Sequence, residues 1–197
     1  MNKLIVGLFL TLSLVNANNT DSKWYIGAGV LQGSGTLTET LGAGYVWIST
    51  GTDTREQEFD TSSVPVKIGF NLDNNNRFEI SFNTIDLKYT DTTESISGSN
   101  IDWLFVYEHD KLQPYWSIGV GSYVYDDTAQ FSIDNEDLAG ISFNAAIGLL
   151  YSIDDNVELE FAYRRIALSF QTIDNGTTTI DTDLVATSIY LGANLQF

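Results

Sequence analysis

The chain has no cysteine and few basic residues. Without Cys among its 197 residues, an exported form has no disulfides or lipid-anchored cysteine, so its stability must come from hydrogen bonds and packing. Nine Lys and Arg face 26 Asp and Glu, for a net charge of −17. Nucleic-acid binding needs basic patches, which this composition argues against.

Long apolar runs are also missing. The longest, residues 4–15, follows Lys3 and precedes Val15-Asn16-Ala17, and it is shorter than the roughly 20 residues that a membrane-spanning helix needs. A basic start, a short apolar stretch and small residues at a cleavage site are typical of a secretory signal peptide. We therefore predict a signal peptide over residues 1–17 and one exported domain over residues 18–197.

Alternation of apolar and polar residues fills most of the remaining chain. In residues 184–197 almost every odd position is apolar, and the even positions are mostly small or polar, which is the pattern of a two-faced strand. The same pattern predicts eight strands in all: residues 23–32, 64–72, 77–89, 100–108, 114–124, 141–151, 157–170 and 184–197. Residues 41–48, inside the first long connection, either extend the first hairpin or form a small flap.

The predicted connections alternate strictly between long and short. Short ones fall near residues 74, 111 and 155, and long ones begin near residues 33, 90, 125 and 171. This asymmetry is typical of transmembrane barrels, which have short periplasmic turns and longer extracellular loops. One face of the strands is rich in glycine, which suits a narrow lumen, and the other carries aromatic residues, which suits lipid. The predicted fold is therefore all-β, an eight-stranded antiparallel up-and-down transmembrane β-barrel.

The apolar phase changes within two predicted strands. In the third strand it moves to Ile85 and Leu87, and in the seventh to Ile166 and Leu168. Such a change predicts either a β-bulge or the point where the strand leaves the two-faced region.

Several short segments resemble a known family. They are residues 24–29 (WYIGAG), 114–121 (PYWSIGVG), 148–151 (GLLY) and 163–165 (YRR), with the final Phe197. In these the chain resembles the small eight-stranded outer-membrane barrels, namely the opacity-protein and OmpA-transmembrane-domain-like group and the OmpX-like proteins. The resemblance implies residence in a Gram-negative outer membrane. It also implies that Phe197 is an assembly signal for the barrel-assembly machinery.

Charged residues on the inner face are the candidate site. Three others, Arg77, Glu108 and Glu158, lie beside short turns and are expected to contact solvent. The residues expected to form a polar network in the lumen are Lys67, Glu79, Asp102, Glu160 and Arg164. Paired charges would plug the lumen, whereas unpaired ones could form a polar path for small solutes.

Other candidates are weaker. His109 is the only histidine and lies in a short turn, far from the outer rim where lipid A deacylases and proteases of this architecture place theirs. Residues 134–137 are acidic but lack the spacing of a calcium loop. Arg165 could reach lipid phosphates or form a salt bridge at the rim. No cofactor, metal or catalytic residue is predicted.

The predicted function is that of a non-enzymatic, monomeric outer-membrane protein with a structural role in membrane integrity and with surface-exposed loops used in adhesion or host interaction. Its expected partners are outer-membrane lipid and lipopolysaccharide, the barrel-assembly machinery and an extracellular ligand of the loops. A narrow passive porin-like channel for small solutes is the alternative. A lipid-modifying outer-membrane enzyme is the third reading.

Overall fold

A computed structural model describes residues 24–45, 48–73, 75–107, 109–125, 138–174 and 178–197. The predicted signal peptide, Glu108 and the acidic residues 134–137 lie outside these ranges. The strands are β1 (Trp24–Tyr45), β2 (Ile48–Ser63), β3 (Val66–Asn71), β4 (Asn76–Lys88), β5 (Thr93–Val106), β6 (Leu112–Tyr125), β7 (Leu138–Ser152), β8 (Val157–Phe170), β9 (Ile173–Asp174) and β10 (Thr178–Gln196). Among the described residues, no helix is long and apolar enough to cross a bilayer.

The strands close into an antiparallel barrel. With β2 and β3 counted as one and the short β9 set aside, each barrel strand pairs with the next along the chain, and β10 returns to pair with β1 from Tyr25↔Gln196 upward, so the sheet has no open edge along this seam. Strands β2 and β3 are two parts of one barrel strand, because both pair with β1 and with β4 and the register does not shift between the end of β2 and the start of β3. Pro65 separates them since it has no N–H to donate, but its carbonyl still accepts the Gly29 N–H at 3.2 Å. With the two-residue β9 at the rim, the described chain forms eight barrel strands, as predicted.

The short connections lie at one end of the barrel, as the sequence pattern indicates. Two of them are closed by an aspartate that accepts backbone N–H groups, the geometry of an Asx turn. Asp73 accepts the N–H of Asn75 at 2.8 Å, and Asp154 accepts those of Asn156 and Val157 at 2.9 and 2.8 Å. Between them, Asp110 adopts a left-handed φ of 44°, which Asp tolerates better than most residues.

The strands are longer than predicted at the opposite end. Residues 33–63, read as a mostly irregular connection, form the upper part of β1 and all of β2, except residues 46–47, which are not described. Residues 41–45 therefore extend the first hairpin, and the flap alternative is wrong. Residues 93–99 and 178–183 also lengthen β5 and β10. The pattern hides these extensions because their outer face is polar.

The change of apolar phase is not a bulge. The β4–β5 register runs without a shift from Asn76↔Phe105 to Lys88↔Thr93, and burial alternates strictly along β4. Ile85 and Leu87 face inward on the same side as Arg77 and Glu79, so the strand has left the membrane-facing region while keeping its geometry. The change in β8 has the same cause, because the β7–β8 and β8–β10 registers are also continuous.

The barrel consequently has two halves of opposite polarity. In the lower half the outer face is apolar and the inner face polar. In the upper half, called here the extension, the inner face is apolar. Its buried cluster consists of Leu37, Phe59, Ile85, Leu87, Ile96, Tyr123, Tyr125, Leu138, Leu168, Phe170, Leu184 and Ala186. Such an inside-out pair of halves is expected where one set of strands passes from lipid into water.

Aromatic side chains lie around the lower end of the apolar outer band. The rings of Phe105 and Trp116, on neighbouring strands, stack with centroids 4.0 Å apart, and Trp24 and Phe70 lie 4.8 Å apart. The indole N–H of Trp103 donates to the Asn76 side chain at the start of β4 at 3.1 Å. Aromatic residues with one wet edge are typical of the membrane interface.

Candidate functional site: the charged lumen

Four of the predicted network residues meet in the lower lumen. The Lys67 ammonium on β3 contacts Glu79 Oε1 of β4 at 2.7 Å and also contacts Glu160 of β8. Arg164, four residues further along β8 on the same face, contacts Glu160 Oε1 at 3.0 Å. The side chains of Lys67, Glu79 and Glu160 are 1% exposed or less. Each carboxylate thus faces a base in a place where an unpaired charge would be costly.

Hydroxyl and amide groups complete the network. Tyr25 donates its O–H to Glu79 at 2.8 Å, and Tyr115 donates to Glu160 at 2.6 Å. The Asn194 amide donates to Glu160 at 3.4 Å. Charge-assisted hydrogen bonds of this kind offset part of the hydration that buried carboxylates lose. The sequence pattern places these three residues on the inner face but does not indicate which carboxylate each one meets.

Aromatic faces cover the bases. The Arg164 guanidinium lies 4.5 Å from the centroid of the Tyr190 ring, and the Lys67 ammonium lies 5.5 Å from it. Both distances are within the range of cation–π attraction, which is stronger where water is excluded. Tyr190 therefore contributes packing and charge stabilisation together.

Glycines make room for these tyrosines. A Cβ on Gly69 would lie 2.0 Å from the Tyr25 ring, and one on Gly148 would lie 2.5 Å from the Tyr115 ring. Strand glycines often mark such close approach. The glycine-rich inner face is therefore complementary to a set of inward-facing tyrosines, which sequence reasoning did not connect with it.

A second buried ion pair lies nearer the short turns. Arg77 donates to both oxygens of Glu158, at 2.8 and 3.1 Å, and to Gln113 at 3.0 Å. Arg77 is 8% exposed and Glu158 1%, so the prediction that these residues contact solvent is wrong. The cause is the bidentate geometry, which lets two charges near the end of a barrel fold inward together.

Asp102 lies in the lumen but outside this set of contacts. It is 5% exposed, and in the described chain none of the four salt bridges includes it. With Arg164 and several amides and hydroxyls it lines a cavity of about 50 Å³ above the network. The Arg164 Nε has no hydrogen-bond partner within the described ranges.

The lumen is closed at two levels. The charged network fills the lower half, and the apolar cluster of the extension fills the upper half. The small polar cavity beside Asp102 lies between them. The interior of an eight-stranded barrel is narrow enough for side chains to fill it, and in the described part of the chain these two layers occupy it.

An acidic cavity marks the outer mouth. Glu39, Glu94, Arg55 and Tyr89 line about 160 Å³ of space above the apolar cluster. The pKa of Glu39 is raised above its ordinary value, chiefly by burial and also by the Glu94 charge, while Arg55 opposes the rise. The pKa of Tyr89 is raised mainly by burial and further by Glu94.

The remaining candidate residues are separated from the lumen. His109 is exposed in the turn before β6, where its carbonyl accepts the Leu112 N–H at 3.1 Å. Arg165 faces outward at the top of the apolar band. Phe197 follows β10, is 45% exposed, and donates its N–H to the Trp24 carbonyl at 2.9 Å, so it completes the β1–β10 seam. In the described part of the chain, no group of three His, Cys, Asp or Glu residues is placed to hold a metal ion.

Comparison with known proteins shows structural likeness alone. No protein-family model matches the chain, and no curated protein matches it. Among solved structures, Neisserial surface protein A superposes with a TM-score of 0.57 at 13% identity, over 88% of this chain and 97% of that one. The outer-membrane protein OprG of Pseudomonas aeruginosa gives 0.54 at 12% identity, over 89% and 96%.

The outer-membrane protein AlkL, whose structure was determined in lipid bilayers, gives a TM-score of 0.53 at 15% identity, over 93% of this chain and 94% of that one. These identities are too low to transfer an activity. The superpositions agree with the closed antiparallel barrel described above. The chain thus has the fold of the small eight-stranded outer-membrane β-barrel proteins.

Proposed function

We propose that this chain is a non-enzymatic protein of the Gram-negative outer membrane that presents its extension at the cell surface for adhesion or host interaction. The proposal rests on two features taken together. A charged layer and an apolar layer close the lumen, and the strands continue beyond the apolar band. A closed lumen leaves little space through which a solute could cross the barrel. Long strands with a polar outer face provide a rigid surface held above the membrane.

The membrane location rests on the outer face of the lower half. Large apolar side chains stand on it at exposures that would be unusual in water, such as Phe143 at 67% and Ile147 at 63%. A continuous exposed apolar band of this kind favours contact with lipid. Export by a signal peptide over residues 1–17 and assembly through Phe197 are parts of the same proposal.

The surface role rests on the charge of the extension. Outward-facing carboxylates on β2 include Glu56, Glu58 and Asp60, all exposed. A partner that recognises this face would carry basic groups, either directly or through bound divalent cations. A monomer suffices for this role, because the barrel closes on itself.

A whole-cell binding assay tests the adhesive role. Cells of a non-adherent Gram-negative strain expressing the full chain would be compared with cells expressing E56Q/E58Q/D60N, on epithelial monolayers and on matrix-coated plates. The proposal expects adhesion above the empty-vector level with the parent chain and a loss of at least half of it with the variant. Adhesion no greater than the empty vector, at matched surface expression, would contradict it.

Conductance tests the alternative of a narrow passive channel. Full-length protein reconstituted in planar bilayers should give no stable single-channel steps, because both closing layers must move for ions to pass. Reproducible ohmic steps would favour the channel and would show that the charged network is a path. The lipid-modifying enzyme receives no support from the described residues, since His109 lies at the end opposite the extension.

A further inference from the structure

Asp102 carries a charge in the lower lumen that has no partner in the described chain. The residue is 5% exposed, and none of the salt bridges among the described residues includes it. No described side chain donates a hydrogen bond to its carboxylate either. A buried charge without compensation is costly, so the folded barrel gains stability from a positive charge placed beside Asp102.

The other buried charges described in the lower lumen balance one another. Three bases face three acids, namely Lys67, Arg77 and Arg164 with Glu79, Glu158 and Glu160. Arg164 is held away from Asp102, because it contacts Glu160 at 3.0 Å and lies 4.5 Å from the centroid of the Tyr190 ring. Asp102 is therefore the source of the excess negative charge, and one added positive charge makes this set of residues neutral.

A glycine on β6 lets the Asp102 side chain lean into the cavity described above. Asp102 on β5 pairs with Gly119 on β6, and Gly119 pairs with Asn144 on β7. A Cβ on Gly119 would lie 2.1 Å from Asp102 Oδ1, so the carboxylate lies over the bare glycine. The Cα atoms of Asp102 and Asn144 are two interstrand steps apart, about 10 Å at ~4.8 Å a step. Two short side chains at this separation leave room for one ion between their oxygen atoms.

Neutral oxygen atoms line the same cavity. Asn144 Nδ2 donates to Asn100 Oδ1 at 2.7 Å, which fixes the orientation of the Asn144 amide and leaves its Oδ1 as an acceptor. Asn100 Oδ1 also accepts a hydrogen bond from Ser142 at 3.2 Å, so both of its lone pairs are engaged. The Ser117 hydroxyl, lower on β6, belongs to the cavity wall as well. The wall thus offers a carboxylate, an amide oxygen and a hydroxyl oxygen.

This set of oxygen atoms indicates the class of ligand. Hard cations prefer oxygen ligands, and neutral carbonyl oxygens coordinate Na⁺ inside membrane proteins. A divalent ion would leave an excess positive charge close to Arg164, whereas a monovalent ion gives exact compensation. Such a site needs a single acid, unlike the groups of three His, Cys, Asp or Glu residues that hold divalent metals, and no such group occurs among the described residues.

We propose that the cavity of about 50 Å³ between the charged network and the apolar cluster binds one monovalent cation of the size of Na⁺. Asp102, Asn144 and Ser117 are its ligands from the protein. The ion neutralises the lower lumen and stabilises the folded barrel. This role is separate from the adhesive function, and it requires only that the barrel folds.

Urea unfolding at increasing NaCl tests the proposal. The full chain would be folded into phosphatidylcholine vesicles, with N-methylglucamine chloride replacing NaCl so that ionic strength stays constant. A ligand that binds only the folded state raises the stability of that state as its concentration rises. We expect the urea midpoint of the parent chain to rise with Na⁺. D102N keeps the shape of the side chain without its charge, so it should lose this rise and should be more stable than the parent chain when Na⁺ is absent.

Two further variants and a direct count sharpen the result. D155N removes an acid from an exposed turn and should respond to Na⁺ like the parent chain. S117A removes one ligand and should need roughly threefold more Na⁺ or greater; it also provides the test if D102N does not fold. Equilibrium dialysis with ²²Na⁺ should give one bound ion per parent chain at saturation and none with D102N.

Three outcomes would overturn the proposal. The first is an equal rise of the urea midpoint with Na⁺ in D102N and in the parent chain. The second is a parent chain whose midpoint ignores Na⁺ but rises as pH falls, with D102N insensitive to both, because a proton would then neutralise Asp102. The third is a titration of S117A identical to that of the parent chain together with no bound ²²Na⁺.

Discussion

Replacing Lys67 with Met should destabilise the barrel strongly. Met keeps much of the volume of the side chain and removes the ammonium that contacts Glu79 and Glu160. Breaking a buried ion pair from one side costs about 3–5 kcal/mol, because it leaves an uncompensated charge. Glu160 keeps Arg164 and Tyr115, but Glu79 keeps only Tyr25 among these donors. Most of the loss should therefore come from Glu79.

A second substitution tests that assignment. Among the described residues, the lower lumen holds three bases (Lys67, Arg77, Arg164) against four acids (Glu79, Asp102, Glu158, Glu160), a formal balance of −1. K67M makes it −2, and K67M/E79Q restores −1 while removing the stranded carboxylate. The double variant should recover roughly 2 kcal/mol or more of the loss, since neighbouring members of one network are not additive.

Urea unfolding in lipid vesicles, followed by tryptophan fluorescence and by gel mobility, measures both effects. K111M, in an exposed turn, is the matched control and should change stability little. A K67M stability within about 1 kcal/mol of the parent chain would refute the description of a dry, paired network. A double variant no more stable than K67M would refute the assignment of the cost to Glu79.

Three further predictions concern the mouth, the glycines and the seam. The pKa of Glu39 is raised from its ordinary value of 4.5, so the charged form of this side chain costs stability in the folded barrel. The first hairpin should therefore become more stable as pH falls from neutral through the raised pKa, and it should lose this gain as pH rises again. E39Q should remove the pH dependence, measured as the difference in amide exchange between E39Q and the parent chain at each pH. G69V should displace the Tyr25 ring and cost roughly 1–3 kcal/mol, seen as a lower urea midpoint, whereas A145V on the lipid-facing side should not; equal effects would contradict the tyrosine–glycine fit. Deleting Phe197 should lower the fraction inserted into membranes more than the fraction exported, measured by cell fractionation, and normal insertion would remove its role as an assembly signal.

The sequence was sufficient for the architecture because the lower barrel obeys one rule throughout. Alternation, turn chemistry at Asp73 and Asp154, and the long–short pattern of connections all indicate the same eight strands. The extension was not predicted because the rule reverses there. Leu37 and Phe59 point inward while their neighbours face water, so the segment resembles an ordinary polar loop. Periodicity gives the face of a residue, and the surroundings of that face must be known separately.

Part of the candidate site could be predicted from the sequence for the same reason. Inward positions follow from alternation, which placed Lys67, Glu79, Glu160 and Arg164 on one face. Their contacts depend on the register between strands distant in sequence, as for Arg77 and Glu158, which are 81 residues apart. Because Arg77 and Glu158 lie beside short turns, the sequence suggested that they contact solvent, but their bidentate pairing buries them. The partnership of glycines with tyrosines also depends on register.

The central claim is that one outer surface passes from lipid to water along the same strands. The absence of native cysteine makes single-cysteine labels unambiguous. Ile101 and Thr93 face outward on β5, eight residues or about 27 Å apart along the strand. A bimane label on I101C should be quenched by brominated lipid tails and protected from iodide, whereas the label on T93C should show the reverse. Iodide quenching of both labels, with no effect of brominated lipid on either, would contradict the account.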